Sequence, residues 1–146
     1  MSFLHAGIGI AMVAMNLLAG AVGAWHWRHA GTGRTFWPLL RAGQALAVLA
    51  AADGLLLVAL GRDLPELHLV YGLTPLVVSF LAEQLRLASA DSVMQARGLE
   101  GREAVAALPE ASQRELVMTI VRREMGVMAA SAVVVAVLGL RAGEWL

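Results

Sequence analysis

Four stretches of this chain are each long and apolar enough to cross a bilayer as a helix, which narrows the fold before any single residue is weighed. A hydrocarbon core about 30 Å thick takes roughly 20 apolar residues in helical form. The stretches run from Phe3 to Trp27, Phe36 to Gly61, Leu67 to Ala88 and Met118 to Leu140, the last with a more polar lead-in from Pro109. Charge supports the same class. Only 15% of the residues are charged and 59% are hydrophobic, where a soluble domain of this size carries about 25% charged residues. So few charges cannot cover a water-facing surface, so part of that surface faces lipid. The links GTGRT and RDLPE are short and join antiparallel neighbours. The prediction is an all-α, four-helix transmembrane bundle running up-down-up-down as one domain over residues 1–146.

The opening segment MSFLHAGIGIAMVAMNLLAGAV lacks a basic n-region and its apolar run exceeds an h-region. It reads as a first membrane helix that is retained. Residues 89–108, SADSVMQARGLEGREAVAAL, read as a loop on the cytoplasmic side containing a short surface helix, with Pro109 as the next helix start.

Arginine placement sets the expected orientation. Arg28, Arg34, Arg41, Arg86, Arg97, Arg102, Arg114, Arg122 and Arg123 fall on one side of the bundle, and only Arg62 and Arg141 on the other. Nine against two is a positive-inside bias that places both termini outside the cytoplasm, in an inner (plasma) membrane. Trp25, Trp27 and Trp37 then form an inner aromatic belt, with Tyr71 and Trp145 towards the outer face.

His5 and His68 each lie in the first turn of a helix that runs inward from the outer face, so they share one depth. Helical geometry carries the face of His5 through Gly9, Met12, Asn16, Ala19 and Gly23, and that of His68 through Gly72, Pro75, Ser79, Ala82 and Arg86. These are the small and polar residues of each helix, the kind that pack inward in membranes. A faint repeat (MNLLA after His5, VSFLA after His68) suggests two tandem helical hairpins that would set the histidines face to face. Inward imidazoles on opposite helices of a bundle are a common way to hold a b-type haem, with Gly9 and Gly72 leaving room for the ring and Arg62 available for the propionates. The competing reading is two interfacial histidines bonded to neighbours. His26 and His29, in WHWRH, read as belt and loop residues at the inner interface.

The pattern of His5 with Gly7 and Gly9, then GAWHWR, then Gln44 followed by AAADG, then LHLVYG with His68, resembles one four-helix half of haem A synthase over Leu4 to Arg86. That resemblance implies haem ligation through two histidines on inward-running helices. Two departures matter. The family's functionally important Glu before the first ligand has no counterpart at Ser2, Phe3 or Leu4, and there is no second half with a second histidine pair. The chain alone is therefore not a complete haem A synthase, although a homodimer would restore eight helices.

Among other polar residues, Asp53 carries the greatest insertion penalty, about 2.5 to 3.5 kcal/mol at a helix centre. Counted back from Arg62 it lies deeper than the histidines, near Thr74, where it is protonated, paired with Asn16 or Thr74, or part of a proton path. Asn16, Gln44 and Ser79 read as interhelical hydrogen-bond residues. Glu83, Gln84 and Arg86 lie near Arg122, Arg123 and Glu124 in an expected inner ion-pair network. Met12, Met15, Met118, Met125 and Met128 read as packing.

The absence of Cys excludes disulfides, thiolate metal sites and thiol catalysis. A net charge of zero argues against a nucleic-acid-binding surface. No phosphate loop, HExxH motif or nucleophile elbow is present. The leading expectation is a small membrane protein binding haem b, exchanging electrons with a quinone or respiratory oxidase or handling haem during oxidase assembly. The alternatives are a cofactor-free accessory subunit of a membrane complex and a small proton-coupled transporter using Asp53.

Overall fold

A computed structural model of the chain describes residues 3–29, 31, 33–63 and 65–144. Trp145, expected in the outer aromatic belt, lies outside the described residues, as do Thr32 and Leu64 of the two short links. The described residues form helices α1 (Phe3–Arg28), α2 (Phe36–Ala59), α3 (Glu66–Ala96), α4 (Gly101–Ala106) and α5 (Glu110–Ala142), with no strand among them. By length and composition, α1, α2 and α5 are long and apolar enough to cross a membrane. α3, the expected third span, has 31 residues. It is more polar, with His68, Thr74 and Pro75 in its first half and Glu83, Gln84, Arg86 and Asp91 in its second.

The segment 89–108 differs from its expected loop. α3 continues through it to Ala96 before a turn leads into α4. The Ser89 and Ser92 hydroxyls donate to the Leu85 and Ser89 carbonyls, so both serines are accommodated inside the helix. The helix stops where Gly98 takes a φ of 67°. There Gly98 N–H donates to Gln95 O and Leu99 N–H to Met94 O, the paired closure of a Schellman motif. The same device ends α2: Gly61 has a φ of 80°, its N–H donates to Val58 O, and Arg62 N–H donates to Leu57 O. Pro109 caps the start of α5, close to where the sequence places it.

α1 packs against α2 and α5, and α3 packs against α5 and α2, so α1 and α3 face each other across the diagonal. The face predicted for α1 is the buried one, with Met12, Asn16, Ala19 and Gly23 all buried. On α3, Pro75 and Ala82 of the predicted face are buried, and Gly72, Ser79 and Arg86 are partly so. Close helix approach explains the small residues of α1. A methyl group added at Gly20 would stand 2.6 Å from Val133 Cγ2, and one at Gly23 would stand 2.6 Å from the Phe36 ring. One core cluster joins Ala19, Phe36, Leu40, Met125 and Met128, and a second joins Met12, Val13, Ala47 and Ala136. Leu17, Leu18, Leu49, Leu56 and Val137 belong to neither cluster and are exposed. An apolar outer shell around a small-residue core is the pattern of helices that contact lipid.

At the end of the bundle marked by Arg41 and Arg86, Glu83 accepts from Arg41, from Gln44 Nε2 at 3.1 Å and from Arg86 Nε at 3.0 Å. Arg86 also pairs with Glu124 at 3.7 Å and lies over the Trp37 ring. Of the expected network Glu83, Arg86 and Glu124 take part, joined by Arg41 and Gln44 of α2, while Gln84, Arg122 and Arg123 are exposed.

Candidate functional site

His5, on the first turn of α1, and His68, on the first turn of α3, meet at the opposite end of the bundle, their ring centroids 5.8 Å apart and their planes inclined by 50°. Each ring is oriented by a hydrogen bond at Nδ1. His5 Nδ1–H donates to Asp53 Oδ2 on α2 at 3.0 Å, and His68 Nδ1–H donates to the Ala142 carbonyl at the end of α5 at 2.8 Å. A carbonyl can only accept, so the bond to Ala142 fixes Nδ1–H of His68 as the donor, and a carboxylate at Asp53 does the same for His5. A ring nitrogen held by a carboxylate or carbonyl is also the arrangement found behind metal-ligating histidines.

Local structure explains both bonds. Ala142 is the last residue of α5, and the last carbonyls of a helix have no intrahelical partner. Asp53 is followed by Gly54, where an added methyl group would approach His5 Cε1 to 3.2 Å, so glycine gives the imidazole its place beside α2. The Asp53 side chain is 18% exposed and that of His5 is 14% exposed. A carboxylate so placed is destabilised unless a donor faces it, and His5 is that donor.

Between the helices lies a cavity of about 320 Å³ lined by His5, His68, Gly9, Gly72, Met12 and Tyr71 among others. Its size falls within the range of small-molecule and cofactor sites, about 300–1,000 Å³. Methyl groups added at Gly9 and Gly72 would meet nothing within 4 Å, so these glycines border open space. Leu55 of α2 and Leu69 of α3 also line the cavity and are exposed, so one side of it opens between those helices. Pro75 lies one turn beyond Tyr71 and removes the helix bond that the Tyr71 carbonyl would otherwise accept. A second cavity, also bordered by His68, is lined by Glu66, Tyr71, Arg141 and Glu144.

The remaining polar residues singled out from the sequence lie elsewhere. Asp53 pairs with His5, where Asn16 or Thr74 was expected. Thr74 donates to Val70 O in its own helix, and Asn16, 1% exposed, donates to Met12 O. Gln44 belongs to the Glu83 network. Arg62 is exposed and absent from the cavity lining, and Arg141 is the arginine that borders His68. His26 bonds with Thr35, and His29 stacks on Trp25 and bonds to its carbonyl, as expected of interfacial residues.

Among the described residues no three His, Cys, Asp or Glu side chains form a metal-binding group. A bare zinc ion held by protein needs three or four such ligands. Two imidazoles suffice where a macrocycle supplies the other donors. No known protein family, curated protein or solved structure matches the chain.

Proposed function

We propose that this chain is a four-span membrane protein that binds one b-type haem between His5 and His68. The observation that carries the reading is the pair of facing imidazoles, each with Nδ1 held by an acceptor on a neighbouring helix. The cavity beside them, bordered by Gly9 and Gly72, supports it, and so does the resemblance of residues Leu4 to Arg86 to half of haem A synthase. Asp53 and the Ala142 carbonyl orient the two ligands, and the glycines leave room for the macrocycle. When bound, the group supplies a one-electron couple. α3 completes the bundle as the fourth span, its polar side turned to α2 and α5. The arginine bias supports an orientation with both termini outside the cytoplasm.

The function that follows is electron transfer between a membrane donor such as a quinone and an acceptor at the outer face, or the holding of haem for oxidase assembly. The test is the absorption spectrum of the detergent-purified protein, oxidised and dithionite-reduced, beside His5→Ala, His68→Ala and the control His26→Ala. The expected result is a sharp reduced α-band of b type in the parent and the control, lost or broadened in the other two. A protein that stays colourless after haem titration would overturn the reading in favour of a cofactor-free subunit.

A further inference from the structure

We infer that the two imidazoles are unequal ligands, and that Asp53 is the positioning residue that sets the donor strength of His5 and thereby the reduction potential of the site. The inference rests on the haem reading and deepens it. The two acceptors differ in charge. His5 Nδ1–H donates to a carboxylate on α2, whereas His68 Nδ1–H donates to a neutral backbone carbonyl on α5. Holding a ring in place does not require an anion, as the Ala142 carbonyl shows for His68. An amide side chain at position 53 would present an acceptor of similar size without the burial penalty of a carboxylate in a membrane-spanning helix. What only the anion adds is negative charge behind the imidazole. That charge strengthens ring donation through Nε2 and favours the more positive state of whatever is bound there.

The surroundings preserve the effect. The Asp53 and His5 side chains are 18% and 14% exposed, so solvent screens the carboxylate from the ring only in part. Gly54 is part of the device, since a methyl group there would press on His5 Cε1 at 3.2 Å and disturb the ring that Asp53 holds. On the other side, His68 borders both the central cavity and the second one. The weaker donor is therefore also the one beside the second cavity, and an added small ligand such as carbon monoxide is expected to displace His68 and leave His5 bound.

The test is a spectroelectrochemical titration of the haem-loaded parent, Asp53→Asn and Asp53→Glu at one pH. Asp53→Asn is expected to shift the midpoint to a more positive potential, while Asp53→Glu, which keeps the anion, stays closer to the parent. Haem bound with unchanged spectrum and midpoint in Asp53→Asn would overturn the inference and leave the haem reading intact. A parent that takes up no haem overturns both. Should Asp53→Asn fail to fold, nuclear magnetic resonance of the reduced parent with ¹⁵N-labelled histidine decides. Two distinct Nδ1–H signals are expected, the one from His5 further downfield, and two equivalent signals would refute the asymmetry.

Discussion

Replacing Gly9 and Gly72 with alanine has opposite effects on the protein alone and on the protein with its cavity filled. In the structure a methyl group at either position meets nothing within 4 Å, and the same is true of Gly7, which is exposed and does not line this cavity. Alanine is favoured over glycine in a helix interior by about 0.8–1.0 kcal/mol. Each of the three substitutions should therefore leave the haem-free protein as stable as the parent or up to about 1 kcal/mol more stable. A macrocycle between His5 and His68 would occupy the space the new methyl groups enter at positions 9 and 72. Overpacking typically costs about 1–3 kcal/mol, which is roughly a 5- to 150-fold loss of affinity. Gly7→Ala lacks that conflict and serves as the matched control. The assay pairs haem titration followed by absorbance with denaturant unfolding of the haem-free protein in the same detergent. Unchanged haem affinity in both Gly9→Ala and Gly72→Ala would refute the assignment of this cavity to the macrocycle, even if His5 and His68 proved to be ligands.

Other expectations follow from the packing and the charged end. Gly23→Ala should destabilise the bundle by about 1–3 kcal/mol in unfolding assays, because its methyl group meets the fully buried Phe36 ring at 2.6 Å and Ala129 Cβ at 2.8 Å. Glu83→Ala removes the shared acceptor of Arg41, Gln44 and Arg86 and should cost about 1 kcal/mol, a loss that shrinks as salt rises, with no change in the visible spectrum. The chain has no cysteine, so single-cysteine variants report topology without background. Asp63→Cys should react with an impermeant maleimide from outside intact cells and Gln95→Cys only after lysis, and the reverse pattern would invert the proposed orientation.

The meeting of His5 and His68 was legible because depth and face can both be counted along a helix, and both helices are regular where it matters. Gly9 and Gly72 followed from the same count. The pairing of Asp53 with His5 was not legible, because a count along one helix does not say which side chain of a neighbouring helix a carboxylate meets. The Ala142 carbonyl carried no signal at all: any residue closing α5 would offer the same acceptor, and only the three-dimensional structure tells which imidazole it meets. The polar content of α3 was visible in the sequence, but the extension of that helix to Ala96 depended on serines bonding back to their own helix, where their usual preference points to turns.

Each histidine finds its Nδ1 partner within its own hairpin: His5 of α1 with Asp53 of α2, and His68 of α3 with the end of α5. A membrane protein builds in two stages, helices inserting first and associating afterwards. Each half-site needs only its own hairpin to associate, and the packing of α1 against α5, carried by core residues of both hairpins, then brings the two imidazoles together.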